Sequence, residues 1–253
     1  YKGDYRNLKI GMDLSNGMAA LLIENILGNE PVYLYDELDG TFPNHEANPL
    51  DLKNIVDIQK LVKKEKCDIG VIFDGDADRV MFVDENSRFI SPDLMIAVLG
   101  HYFLEEKGFK GGVLQDIRTS KAIGEYLTPM GATMHTWKVG RAFAARKLRE
   151  IDGIFGGELA GHYYFRDFFY SDSGIMACLI ILDIVSSMKK KGISVSQLIS
   201  KIEAYKNSGE INFRIENKKQ AMDMVRDYFL SQENPTAQYD FDGYRVEFPD
   251  WWF

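Results

Sequence analysis

The stretch Cys67-Asp68-Ile69-Gly70-Val71-Ile72-Phe73-Asp74-Gly75-Asp76-Ala77-Asp78-Arg79 decides how this chain is read. Its first half is apolar and β-branched, which predicts a buried strand over Ile69–Phe73. Its second half sets three carboxylates at alternate positions and closes on an arginine. The acids therefore stand at the carboxyl end of a strand, where open α/β sheets bind ligands. Two like charges 4 Å apart cost ~1 kcal/mol in water and several-fold more near a protein. A hard divalent cation is the simplest way to neutralise three of them.

Other readings of the same residues stay open at this point. One is a solvated acidic turn. Another is an EF-hand, because Asp74, Asp76, Asp78 and Glu85 fall at loop positions 1, 3, 5 and 12. Against it, Arg79 stands where that motif needs glycine, and a strand rather than a helix leads in. A third is an Asp-nucleophile phosphatase, which also places Asp-x-Asp after an apolar strand but leaves Asp78 and Arg79 unexplained.

Working outward, Leu8–Asp13 reads as a strand, Ser15-Asn16-Gly17 as a turn, Met18–Leu27 as a helix and Val32–Tyr35 as a strand. A long polar connection, Asp36–Pro49, follows. Asp51 can cap a helix to about Glu65, and Val80–Asp84 can return as a hairpin across the acidic loop. A second unit opens at Ser91-Pro92-Asp93, with Ser as N-cap, for a helix to about Lys107 that stops at Gly108. Strands are predicted over Gly112–Asp116, Ala132–Thr136 and Ile154–Gly156, with helices over Ser120–Leu127 and Arg141–Glu150. Asp172 is placed to cap a long helix from Ser173 to Lys190, and Ser194 with Gln197 to form a capping box for one more, to about Ala204. From Ser208 the pattern changes. Ile211–Ile215 and Tyr244–Phe248 alternate as half-buried strands, with a helix from Asn217 toward Tyr228 between them.

The fold class is thus α/β: two successive units with mixed, mostly parallel sheets flanked by helices, then part of a smaller α+β unit. The expected boundaries are 1–88, 89–206 and 207–253. The two α/β units match in order and size, which suggests duplication, although their residues are too different to read as a repeat. The closing Trp251-Trp252-Phe253 is expected to be exposed, as if the third unit were cut through.

Composition narrows the function classes. The 253 residues are 45% hydrophobic and 27% charged, a globular balance. A net charge of −8 with no dense Lys/Arg stripe argues against a nucleic-acid surface. Lys189-Lys190-Lys191 reads as positive charge at a helix C-terminus. Cys67 and Cys178 both lie in apolar runs, as buried thiols rather than a disulfide or metal pair. No apolar run reaches membrane-spanning length and no signal peptide opens the chain, so a cytoplasmic protein with no membrane partner is expected.

The second chemical stretch is Gly156-Gly157-Glu158-Leu159-Ala160-Gly161-His162. Its glycines would let backbone approach a ligand closely. Its carboxylate could accept from the vicinal hydroxyls of a sugar, and its histidine could bind phosphate or move a proton near neutral pH. By itself the stretch reads equally well as a turn with a capping Glu and a surface His.

Together the two stretches are specific. Asp-Gly-Asp-Ala-Asp-Arg, then Gly-Glu-x-x-Gly-His about a domain later, resembles the α-D-phosphohexomutases, in the phosphomannomutase/phosphoglucomutase branch. Asp39-Gly40-Thr41-Phe42-Pro43-Asn44-His45 is similar to that family's Asp-Gly-x-Phe-Pro segment, and Val139-Gly140 to its Val-Gly element. The resemblance implies an enzyme that interconverts hexose 1- and 6-phosphates, of mannose or glucose. It implies a phosphoserine, Mg²⁺, and hexose 1,6-bisphosphate as activator and intermediate. Carried over residue by residue, Asp74, Asp76 and Asp78 would hold the metal and Arg79 would lie beside the phosphoserine. Glu158 would read sugar hydroxyls and His162 would transfer a proton. Arg118, Gly140 and Arg141 would line the hexose-phosphate cleft. Ala160 stands where relatives usually carry Ser, which removes one hydroxyl from the sugar loop. Neither the nucleophile motif Thr-Ala-Ser-His-Asn-Pro nor the phosphate loop Arg-x-Ser-Asn/Gly-Thr-Glu-Pro occurs in the chain. The resemblance then implies the second and third of four domains and the start of the fourth. Such a span by itself would lack turnover.

Overall fold

The computed structural model describes residues 3–209 and 211–253. The first sheet holds β1 (Ile10–Asp13), β2 (Val32–Leu34), β3 (Ile69–Phe73), β4 (Val80–Asp84) and β5 (Phe89–Ile90) in the order β2-β1-β3-β4-β5. The first three are parallel; β4 and β5 are antiparallel additions. Helices α1 (Ala20–Leu27) and α2 (Val56–Glu65) connect the parallel strands. The second sheet holds β6 (Gly111–Asp116), β7 (Ala132–Trp137), β8 (Phe155–Gly157), β9 (Tyr163–Phe165) and β10 (Ser171–Asp172). Its order, β7-β6-β8-β9-β10, places second, first, third, fourth and fifth strands side by side, as in the first sheet. Strand directions also agree: three parallel, then two antiparallel. The duplication too faint to read in the residues is plain in the topology.

Around the second sheet lie α3 (Leu94–Gly100), α4 (Ala122–Leu127), α5 (Arg141–Glu150), α6 (Gly174–Lys190) and α7 (Val195–Ile202). A smaller piece follows, with α8 (Lys218–Gln232) and the hairpin of β11 (Ala237–Tyr239) and β12 (Arg245–Glu247). Strands β3 and β4 are buried throughout because both faces are covered. Val71, Phe73 and Phe82 point into a core that continues through Val113, Phe155 and Phe165 of the second sheet to Cys178 and Ile181 of α6. Ile72, Met81 and Val83 point the other way, onto Ile58, Leu61 and Val62 of α2. This period-two split is why the sequence there reads as an unbroken apolar run. One continuous core therefore spans both sheets, and Cys67 and Cys178 are free thiols buried within the fold.

Several expectations need correction. The α3 N-terminus is not capped by Ser91: its hydroxyl donates to the Asp93 carboxylate, and after Gly100 the chain winds as a π-helix over His101–Glu106. Asp172 does not cap α6. Ser173 does, accepting from the Met176 N–H, because Asp172 is taken by His162 and Arg141. Ile211–Ile215 forms no strand; no described strand lies alongside, and Ile211 and Phe213 stand exposed. Trp251, Trp252 and Phe253 are half-buried rather than exposed, with Trp251 and Phe253 against Phe229 and Phe248. Lys189 does more than offset a helix end: its Nζ reaches Asp68 at 2.7 Å and the Asn7 carbonyl at 2.8 Å, tying α6 to the first sheet. Strands β9 and β10 escape sequence reading because β9 follows the preceding strand after only a tight turn and β10 is two residues long.

Glu85, just beyond β4, links the units. Its carboxylate accepts from the Ser196 hydroxyl and, at 3.0 Å, from the Ser196 N–H at the start of α7. This removes it from any EF-hand role. Burial raises its pKa, but the hydroxyls of Ser194 and Ser196 outweigh burial and hold it below the usual range. A carboxylate depressed in this way stabilises the fold above its unfolded pKa, ~4.3, and loses that contribution as pH falls through the folded value. Glu85→Gln should therefore melt below wild type at pH ~7, with the gap closing as the pH drops below that value. Equal melting at neutral pH would show that the link contributes nothing.

Candidate active site

The acidic loop is the hairpin between β3 and β4, and the Gly-Glu loop is the hairpin between β8 and β9. They occupy the same place in the two repeated sheets. Arg79 and His162 face each other in an antiparallel bridge, and the Val80 N–H donates to the Gly161 carbonyl at 3.2 Å. The two chemical loops are thus joined backbone to backbone.

Within the acidic loop, Asp74 is buried, Asp76 exposed and Asp78 between. One oxygen from each lies within 4.8 Å of the others. Arg79 takes both oxygens of Asp74, Nε at 2.6 Å and its own N–H at 3.2 Å, and stands 4.0 Å from Asp78. Ala77 adopts a left-handed conformation at φ 64°, uncommon for a residue with a Cβ and frequent at functional turns. Burial, and then the charges of Asp74, Asp76 and Asp172, push the Asp78 carboxyl up to about 6, with His162 opposing. One guanidinium leaves this trio under-neutralised. An all-oxygen set at this spacing suits a hard divalent cation.

A second triad, Asp78, His162 and Asp172, is equally close. It fits a cation poorly. His162 Nδ1 lies 2.8 Å from Asp172 Oδ2, where it donates a proton, and Arg141 Nε holds Asp172 Oδ1 at 2.7 Å. These groups orient one another instead. Burial lowers the His162 pKa, but Asp172, then Asp78 and Glu158, raise it above the ordinary value.

Glu158 is 2% exposed and accepts the Gly140 N–H at 2.8 Å through Oε1. Burial raises its pKa and the Gly140 bond opposes that. Gly140 takes φ 117° as it opens α5, which begins at Arg141. Asp116, at the end of β6, holds the remaining pieces together. It accepts from Arg118 N–H at 2.6 Å, from the Arg118 guanidinium at 2.9 Å and from Leu159 N–H at 2.8 Å. Ala160 sits half-exposed in the 158–161 turn. Hydrogen bonds and ion pairs join Asp74, Arg79, Asp78, His162, Arg141, Glu158, Gly140 and Arg118 in this region, with Asp76 beside the other two acids and Ala160 in the 158–161 turn. Gly156 and Gly157 correct the expectation of ligand approach. A Cβ on Gly156 would lie 2.7 Å from the Leu114 carbonyl, and one on Gly157 2.7 Å from Ile96, so these glycines serve internal packing. Sequence reading missed Asp116 and Asp172 as site residues. The only available signal was an acid at a strand end followed by a turn, Asp116-Ile117-Arg118-Thr119.

The family model described as phosphoglucomutase/phosphomannomutase, α/β/α domain II, matches residues 2–87, and that for domain III matches residues 91–205. The phosphomannomutase of Methanocaldococcus jannaschii is 33% identical over 248 residues, spanning 97% of this chain and 54% of the relative. That of Vibrio cholerae is 36% identical over 256 residues, with 97% and 54% covered. The chain thus spans about half the length of the curated relatives it matches. A crystal structure of a phosphoglucomutase/phosphomannomutase family protein from Burkholderia thailandensis superposes with TM-score 0.78 at 27% identity, covering 97% of this chain and 52% of that one. In fold alone, a putative phosphomannomutase from Thermus thermophilus agrees at TM-score 0.75 and 19% identity.

Gly174, the first residue of α6, lies directly on the acidic loop: a Cβ there would be 2.8 Å from the Ala77 carbonyl and 2.9 Å from the Arg79 backbone carbon. Backbone cannot yield as a flexible side chain would. Gly174→Ala should cost about 1–3 kcal/mol of stability despite alanine's better helix propensity. A variant as stable as wild type in denaturant titration would show that α6 does not brace the loop.

Proposed function

Because the chain belongs to the α-D-phosphohexomutase family, we propose that it carries the metal-binding and sugar-binding loops of a mutase interconverting hexose 1-phosphate and hexose 6-phosphate. The sugar is mannose, glucose or both. The observation that carries the reading is the Arg79–His162 bridge, which fixes a carboxylate trio beside a sugar-loop histidine. Residues 1–88 would be the metal-loop domain, 89–206 the sugar-loop domain, and 207–253 the beginning of a further one.

Asp74, Asp76 and Asp78 would hold Mg²⁺, which when bound stabilises charge on the transferring phosphoryl group. The chain's own residues supply the rest. Arg118 and Arg141 present cations toward a sugar phosphate, each anchored through a buried aspartate. Glu158 spends one oxygen on Gly140 and keeps the other for sugar hydroxyls. Asp172 holds the His162 Nδ1 proton, so Nε2 is the nitrogen that exchanges a proton with a substrate hydroxyl. Ala160 offers no hydroxyl, so the sugar is gripped through Glu158 rather than through this side chain. Hexose 1,6-bisphosphate is the expected intermediate. The serine that carries the phosphoryl group, and the loop that binds the distal phosphate, would come from sequence outside residues 1–253. Taken alone, these residues would bind metal and sugar phosphate without turnover, in the cytoplasm as the expected compartment. An Asp-nucleophile phosphatase fits less well, because it gives no role to Asp78 and Arg79, which complete the loop.

Asp76 is the exposed member of the trio, so Asp76→Asn should leave folding intact. It should weaken Mg²⁺ roughly 10–100-fold in the full-length enzyme, and lower kcat far more than it raises KM. Turnover equal to wild type at subsaturating Mg²⁺ would rule out this assignment.

A further inference from the structure

Behind the acidic loop lies a buried pair that the reaction outlined above leaves unused. Asp13 ends β1 and is 0% exposed. Its Oδ2 lies 3.0 Å from His45 Nε2, and its other oxygen accepts the Ser15 N–H at 2.9 Å. His45 Nδ1 lies 2.9 Å from the Glu46 carbonyl, which can only accept, so both ring nitrogens are committed. The Asp13 bond raises the His45 pKa against its burial, while burial raises that of Asp13. Tyr35 packs edge-on to the imidazole and donates to Asp57, whose charge also faces it.

The pair closes two segments over each other. Ser15 and Asn16 are both left-handed, at φ 52° and 51°, and Asn44 Nδ2 donates to Asn16 Oδ1 at 2.8 Å. The stapled segments then grip the acidic loop. The Ser15 hydroxyl donates to the Phe73 carbonyl at 2.6 Å, just before Asp74. The Met18 N–H donates to the Gly75 carbonyl at 2.9 Å. Gly17 lies so close that a Cβ would be 2.7 Å from that carbonyl, and Phe42 and Ala47 cover Gly75 from the other segment. Asn48 accepts from Arg79 at 3.5 Å.

The second sheet provides an internal comparison. Asp116 ends the strand equivalent to β1, accepts the N–H two residues on in the same way, and bonds the neighbouring chemical loop directly through Leu159. The same aspartate thus recurs in each repeat, beside the loop that carries the chemistry.

We propose that Asp13 and His45 are positioning residues that hold the acidic loop in its ligand-ready shape, acting through Ser15, Gly17 and Phe42. The part of this that concerns Mg²⁺ rests on the metal reading above; the part that concerns loop shape does not.

The test uses the full chain with hydrogen exchange of the 74–79 amides in metal-free buffer and Mg²⁺ titration by calorimetry. His45→Gln cannot bridge Asp13 and Glu46. It should speed exchange at 74–79 and weaken Mg²⁺ roughly tenfold. Ser15→Ala, a milder change that keeps the fold, should show the same pattern to a smaller degree. Val62→Ala, in the α2 core, should lower the melting temperature without either effect. If both His45→Gln and Ser15→Ala behave like Val62→Ala, the clamp is overturned. Wild-type protein that ignores Mg²⁺ while His45→Gln still loosens 74–79 would keep the clamp and sink the metal reading.

Discussion

A short antiparallel contact, Arg79 against His162, is the interaction on which the site depends. Each sheet by itself carries half of the chemistry: carboxylates on one, a buried glutamate and histidine on the other. On the proposed mutase reading, neither half could act on a sugar phosphate unless the two were fixed within a few ångströms. The bridge does this with backbone, which has no rotamer freedom to lose. It is backed by the Glu85–Ser196 link, by the Lys189–Asp68 ion pair and by a core shared between the sheets. Preorganisation of this kind would suit the proposed phosphoryl transfer, in which positioning and electrostatics do most of the work.

The repeated topology explains how the halves came to face each other. In both units the chemical loop joins the third and fourth strands, at the switch from parallel to antiparallel pairing. At such a switch a tight hairpin replaces a helical crossover. The loop is then short, anchored at both ends, and near the carboxyl ends of the parallel strands. An aspartate on the first strand reaches across to it in each case, through His45 and Ser15 in one and through Leu159 in the other.

Much of this was legible in the residues. The β3 and β4 spans come directly from apolar runs, because burial on both faces leaves little ambiguity, and the start of α7 comes from the Ser194–Gln197 capping box. Asp74, Asp76 and Asp78 stand out as three like charges within five residues, although the residues alone left several readings of the loop open. What stayed hidden depends on distant partners. The glycines Gly156 and Gly157 look like ligand contacts until Leu114 and Ile96 are placed against them. Asp172 looks like a helix cap until His162 and Arg141 claim it. Ile211–Ile215 alternates like a strand, but alternation specifies a face and not a neighbour.

The central claim is that a cation belongs to Asp74, Asp76 and Asp78, with Asp172 and His162 serving to orient one another. Both carboxylate groupings are compact enough to hold an ion, and they share Asp78. Anomalous scattering from crystals soaked in Mn²⁺, an oxygen-preferring stand-in for Mg²⁺, separates them most directly. The account predicts a single strong peak between the oxygens of Asp74, Asp76 and Asp78. A peak between Asp78, His162 and Asp172, with Arg141 displaced, would contradict it.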